Sequence, residues 1–249
     1  MTAHPDAANV QLVEPMLEDR VLEPVCEALP AEPLLELLGI TKRWPRLERP
    51  VLDDVDLELQ PGTVTWVGGR NGIGKTTLMR IAAGLIRADG GSVRLDGLHP
   101  VRDRGAYMSR SAFLSAGSGG LYARLPVRWH LNWWARLAFL PAERRRQVVE
   151  VALERFELTE LASRRVDRMS MGQRQRVRLA GIFLHEPDVI LLDEPRNSLD
   201  TEGVEILTSA VSAATARGAA VLWCAPTGEE AKIESDRRFE LEHGRLVQA

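Results

Sequence analysis

The stretch Gly69-Arg70-Asn71-Gly72-Ile73-Gly74-Lys75-Thr76-Thr77 has the residue types and spacing needed to grip a chain of phosphates. It fits G-x-x-x-x-G-K-[ST], whose glycines let the backbone curl until successive N–H groups face one anion. A helix that follows would add its positive N-terminal end. Lys75 would then reach the β- and γ-phosphates as a point charge, and the Thr76 hydroxyl would coordinate Mg²⁺. Lysine is a rare choice in this chain: of 32 basic residues, only Lys42, Lys75 and Lys232 are not arginine. A glycine-rich turn before an ordinary helix is the bland alternative. The apolar run Val64-Thr65-Trp66-Val67 just before the glycines supplies the strand that the phosphate-loop reading requires.

A second acidic element fits the first. Val189-Ile190-Leu191-Leu192 is fully apolar, the pattern of a strand buried on both faces, and it ends in Asp193-Glu194. Asp193 would hold the metal, directly or through water, and Glu194 could polarise an attacking water as general base. Two solvated acids at a strand end are the alternative, weakened because ligands sit outside the carboxyl ends of such strands. Ser170-Met171-Gly172-Gln173 precedes a basic run, with Gln173 lying 20 positions before Asp193. Ser170 can cap a helix and Gly172 lets backbone approach an anion, although most sequences of this kind are plain caps.

The elements that must carry these groups follow from periodicity. Val55, Leu57 and Leu59 alternate with acids, a half-buried strand closed by Pro61-Gly62. Leu78 to Leu85 reads as a helix, Ser92 to Asp96 and Ala219 to Ala225 as strands, and 126–163 as mostly helical. His243-Gly244 between Phe239–Glu242 and Arg245–Val247 reads as a hairpin turn. Strands alternating with helices predict an α/β fold with helices covering a parallel sheet. The 249 residues, 45% hydrophobic, suffice for one large domain with a sub-domain. A net charge of −3 gives no nucleic-acid footprint. Two cysteines, Cys26 and Cys224, imply no disulfide framework, which fits a reducing cytosol. No run is apolar and long enough to span a bilayer, and no secretory leader is visible. Residues 1–32, acidic and broken by prolines, read as a disordered tail, with a short amphipathic docking piece as the alternative.

In order and spacing these motifs resemble the ATP-binding subunits of ABC transporters, over about Leu34 to Val247. Met169-Ser170-Met171-Gly172-Gln173 is similar to the family pentapeptide LSGGQ, keeping the serine, the second glycine and the glutamine. The resemblance implies that Ser170, Gly172 and Gln173 act across a dimer on the γ-phosphate held by the other subunit. It implies that Asp200, in Asn197-Ser198-Leu199-Asp200, lies at the dimer seam. Trp44, 25 positions before Gly69, matches the aromatic that stacks on adenine; core packing is its other reading. The implied architecture is a P-loop NTPase: a RecA-like parallel-sheet core, a small antiparallel β sub-domain, and an α-helical sub-domain over about 121–180, all within 33–249. The implied cofactors are ATP and Mg²⁺. The implied partners are a membrane-embedded permease and a second ATP-binding subunit, with the chain peripheral on the cytoplasmic face of the membrane. Of Trp129, Trp133, Trp134 and Phe139, helical core is the leading expectation and a partner-contact surface the other.

Two side chains usual in the family are missing. Ala112 to Leu125 contains no glutamine, and Ala116 or Gly117 takes that place; Pro226 stands where a histidine is usual. Proline offers no side-chain donor, so Thr227 or an ordered water would have to compensate. Three readings follow. One is an ATPase driving transport, with an overall look closer to exporters. The second is a nucleotide-gated dimerisation module with little turnover. The third is a relative acting on DNA or the ribosome, which the charge balance disfavours.

Overall fold

The computed structural model describes residues 32–45, 47–117, 119–228 and 234–249. All of the expected tail except Glu32 falls outside these residues, as do Cys26 and Lys232. Two sheets organise the chain. In the smaller, β1 (Leu35–Lys42) lies between β2 (Leu52–Leu59) and β4 (Gly90–Leu95), antiparallel to both. Val55, Leu57 and Leu59 of β2 are buried and the acids between them exposed, so the alternation in the sequence is the two faces of this sheet.

The larger sheet has the order β5 (Ser111–Leu114), β6 (Val189–Asp193), β7 (Ala220–Cys224), β3 (Val64–Gly68), β8 (Arg237–Glu242), β9 (Arg245–Gln248). Every neighbouring pair is parallel except β8 and β9. All residues of β3, β6 and β7 are buried, which is why these strands read as unbroken apolar runs. His243 (φ 48) and Gly244 (φ 84) both adopt left-handed backbone, the requirement of the tight turn that joins β8 to β9. Strand β5 was not anticipated: four residues, Ser-Ala-Phe-Leu, are too few to show a period.

Two cores fill the faces of this sheet. Ile190 and Leu192 of β6, with Trp66 and Val221, pack against α3 (Val127–Leu137), α4 (Ala142–Arg155), α5 (Met171–Phe183) and α6 (Thr201–Ala216). Val189 and Leu191, with Val67 and Leu222, pack against α1 (Lys75–Ala82) and the smaller sheet, with Tyr107 of α2 (Arg104–Arg110) joining them. Helix α1 starts three residues earlier than its apolar pattern suggests, because Leu78 N–H already bonds to Gly74 O at 2.9 Å. It stops where Gly84 (φ 64) turns the chain.

The aromatic residues of α3 differ from the leading expectation. Trp129 and Trp133, with Phe139 just beyond the end of the helix, are 38%, 39% and 87% exposed. Only Trp134 packs inward, over Gly181, where an added Cβ would lie 2.4 Å from its ring. The buried stripe of α3 is Val127, His130, Leu131 and Ala135, and positions 129 and 133 fall off it. Their rings stack on each other, centroids 5.6 Å apart, with Tyr122 edge-on to Trp129.

Candidate functional site

The site begins where β3 runs out of side-chain space. Gly69 (φ 144) and Gly74 (φ 127) both hold backbone that L side chains avoid. A Cβ at Gly74 would sit 2.9 Å from Val51 O, and one at Gly69 3.0 Å from Leu241 O. Between them Arg70, Asn71 and Gly72 are exposed, and Ile73 closes the turn through its N–H to Arg70 O at 3.2 Å. Lys75 is only 5% exposed; its ammonium donates to Gly69 O at 2.5 Å and to Arg70 O at 3.2 Å. The loop is thus already wrapped round its own cation, with the first turn of α1, from Lys75 through Thr76 and Thr77, directly behind it.

Asp193, the last residue of β6, meets this loop from the side. The Thr76 hydroxyl donates to Asp193 Oδ2 at 2.8 Å. Burial pushes the Asp193 carboxyl above its ordinary range; the Thr76 hydroxyl that donates to it and the nearby Ala116 amide pull the other way. A hydroxyl and one carboxylate, hydrogen-bonded beside an anion-binding loop, are a hard oxygen donor set. That set fits Mg²⁺, which keeps several waters and takes its other ligands from phosphate. Cys224 is paired in register with Asp193, and burial holds its thiol well above the usual value, so it stays a neutral packing group.

Glu194 follows immediately with φ 50, a left-handed conformation costing about 1–3 kcal/mol for a residue with a Cβ. The turn is held by its N–H to Cys224 O at 2.9 Å, and its carboxylate accepts from Asn197 Nδ2 at 2.7 Å. The sequence reading passed over that contact. An amide three residues after an acid in a turn was its available signal.

The remaining candidates lie elsewhere. Ser170 and Gln173 form a reciprocal capping box at the start of α5: Ser170 Oγ accepts from Gln173 N–H, and Gln173 Oε1 from Ser170 N–H, both at 3.1 Å. A Cβ on Gly172 would come within 3.0 Å of Ser198 O, so α5 starts against the turn that follows Glu194. Asp200 caps α6, Oδ1 accepting from Gly203 N–H at 2.9 Å. Among the described residues, no hydrogen bond joins Ser170, Gly172, Gln173 or Asp200 to the phosphate loop. Trp44 is 38% exposed just beyond β1, its ring 5.2 Å from the Lys42 ammonium; it is not a core residue. Pro226 follows β7, and the neighbouring Thr227 hydroxyl donates to Glu240 Oε2 at 3.2 Å.

Residues 52–197 match the family model described as ABC transporter. The chain is 34% identical over 217 residues to the daunorubicin resistance ATP-binding protein DrrA3 of Streptomyces coeruleorubidus, covering 87% of this chain and 68% of that one. It is 37% identical over 224 residues to the phosphonates import ATP-binding protein PhnC 1 of Natronomonas pharaonis, covering 86% and 92%. It is 33% identical over 199 residues to the probable multidrug ABC transporter ATP-binding protein YbhF of Escherichia coli, where the match covers 80% of this chain but only 34% of the relative. A solved ATP-binding subunit of an ABC transporter superposes with TM-score 0.79 at 25% identity, over 86% of this chain and 88% of the other. A solved dimeric ATP-binding cassette with ADP and Pi shares the fold with TM-score 0.76 at 21% identity, over 86% of this chain and 97% of the other. With a curled glycine loop before α1, an acid-terminated strand β6 and a capped helix α5 arranged on this sheet, the chain belongs to the ABC transporter family, among its ATP-binding subunits.

Proposed function

We propose that this chain binds and hydrolyses Mg·ATP as the nucleotide-binding subunit of an exporter, at the cytoplasmic face of a membrane. One observation carries the reading: Thr76 and Asp193 meet at 2.8 Å beside a loop curled round Lys75, with Glu194 the next residue along. Lys75 exchanges its two carbonyl partners for β- and γ-phosphate oxygens. Thr76 and Asp193 hold Mg²⁺, which when bound neutralises charge on the phosphates. Glu194 orients and polarises the attacking water, accepting its proton. Trp44, exposed beyond β1, supplies an aromatic face for adenine.

Ser170, Gly172 and Gln173 at the start of α5 supply donors to the γ-phosphate of a second ATP-binding subunit, with Asp200 near the seam. Among the described residues, their hydrogen bonds stay within α5 and α6 and leave the phosphate loop of the same chain to other donors, which supports action in trans. A membrane-embedded permease docks on the helical region, where Trp129, Trp133 and Tyr122 stand exposed. Export is favoured by relatives whose names concern multidrug transport and daunorubicin resistance, although another relative is an import protein. Among the described residues, no helix is long and apolar enough to cross a membrane.

A second reading keeps nucleotide binding but little turnover, with the chain as one half of an asymmetric pair. Pro226 and a glutamine-free 112–125 favour it, because a phosphoryl-transfer site that loses a positioned donor slows by about 10²–10³. Equilibrium ATP binding and phosphate release by the assembled dimer separate the readings. Turnover that Glu194→Gln abolishes supports the ATPase; equal, background rates with intact ATP binding support the second.

A further inference from the structure

Helix α5 carries three arginines in a short run, Arg174, Arg176 and Arg178, and they do not share one environment. Arg174 donates to the carbonyls of Val166 and Asp167, and Arg176 pairs with Glu157. Arg178 instead points into the protein and is 7% exposed. Among the described residues no carboxylate pairs with it, and burial lowers its pKa. A buried cation is costly unless its donors are satisfied. Here every acceptor is neutral: Gly117 O, Ser115 O at 2.6 Å, Ser115 Oγ at 3.4 Å, and Gln175 Oε1 at 2.7 Å.

Those acceptors are not scattered. Ser115 and Gly117 flank Ala116 in the loop that leaves β5 beside the end of β6, where Leu114 stands opposite Leu192, and the Ala116 amide helps to hold the Asp193 carboxyl down. Gln175, itself buried, turns its amide nitrogen to Pro195 O at 2.9 Å, on the residue after Glu194. One guanidinium and one amide therefore tie α5 to both sides of the acid pair: the loop after β5 and the turn after β6. Ala116 and Gly117 have no side-chain donor to offer, and they stand where the resemblance expects a glutamine. The loop's contribution to Asp193 is a main-chain amide, and a main-chain amide is aimed only by fixing the carbonyls on either side. A guanidinium suits this, because its rigid fork can hold two carbonyls at once.

We infer that Arg178 is a positioning residue of the metal site, clamping the carbonyls of Ser115 and Gly117 so that the Ala116 amide orients the Asp193 carboxylate. The inference rests on the Mg·ATP reading above. It assigns to α5 a task separate from its capping box: holding the metal carboxylate of the same chain in line with Thr76.

The test is equilibrium binding of labelled ATP to the full chain, in excess MgCl₂ and in EDTA, for wild type, Arg178→Met and Arg178→Lys, with a melting curve for each. Met fills similar volume without donors. Arg178→Met is expected to bind ATP in EDTA as wild type does, and to lose about tenfold or more of the affinity gained from Mg²⁺. Arg178→Lys, which keeps a cationic donor, recovers part of that gain. The inference is overturned if Arg178→Met keeps the whole gain, or if affinity falls equally with and without metal, the pattern of a merely structural residue. Should Arg178→Met not fold, the Lys variant decides: an intermediate gain supports the clamp and a wild-type gain overturns it. A wild type with no Mg²⁺ gain sinks the Mg·ATP reading and this one together. A wild-type gain that the Met variant retains sinks the clamp alone.

Discussion

The Thr76 hydroxyl and the Asp193 carboxylate, 117 positions apart in sequence, share a 2.8 Å hydrogen bond. It joins the first turn of α1 to the end of β6, and it fixes one acid in a place that burial makes unfavourable for charge. The proposed site thus holds a carboxylate whose charge is useful to a metal and costly to the metal-free fold.

That conflict has a measurable sign. A carboxyl whose folded pKa is raised opposes folding when ionised, so the cost is present at neutral pH. It fades as pH falls through the raised pKa toward the ordinary 3.8. Asp193→Asn removes the charge and keeps an acceptor for Thr76. The metal-free variant is expected to melt higher than wild type at pH 7 while losing the effect of Mg²⁺ on ATP binding. A lower melting temperature at pH 7 contradicts this account.

Glu194 lies beside Asp193 in left-handed backbone, with Asn197 gripping its carboxylate. Glu194→Gln is expected to leave ATP affinity near wild type and to reduce phosphate release by about 10²–10⁴. Asn197→Ala is expected to lower phosphate release less, without weakening ATP binding. Single-turnover assays read both, and a loss of ATP affinity as large as the loss of rate counts against the general-base role.

Gly74 has no room for a methyl group. Gly74→Ala places a Cβ 2.9 Å from Val51 O at φ 127. It should destabilise the protein by about 1–3 kcal/mol and impair ATP binding. Gly72→Ala meets nothing within 4 Å and bears only the strain of φ 79, so it should cost less on both measures. Denaturant titration of the two variants compares them directly.

Acid sensitivity should arise outside the site. His130 is buried in α3 with Nδ1 on Pro126 O at 2.8 Å, while Nε2 accepts from Tyr122 N–H at 2.9 Å. Burial depresses its pKa below 6.5, and the rings of Tyr122, Trp129 and Trp134 face it. The neutral ring's contribution is therefore whole above about pH 6.5 and is lost as pH falls through the depressed value. Melting temperature should decline as pH drops below 6.5. His130→Gln, whose amide oxygen can accept from Tyr122, should flatten the decline. The slope that remains belongs in part to His185, which burial also depresses. An unchanged slope in the variant removes His130 from the explanation.

Much of this molecule was legible because its chemistry is local. Phosphate-loop glycines, the lysine and the threonine sit within nine residues, and backbone geometry over that span needs no distant partner. The apolar run into Asp193-Glu194 announced a strand buried on both faces, and His243-Gly244 announced its hairpin by residue type alone. The tertiary structure decided what depends on facing and on distant contact. Arg174, Arg176 and Arg178 look alike in sequence, and only packing of α5 against the loop after β5 buries the third. Trp129 and Trp133 look like core until the stripe of α3 turns them outward. Thr76 and Asp193 become partners only because β3 and β6 flank β7 in one parallel sheet, which brings their carboxyl ends to the same edge.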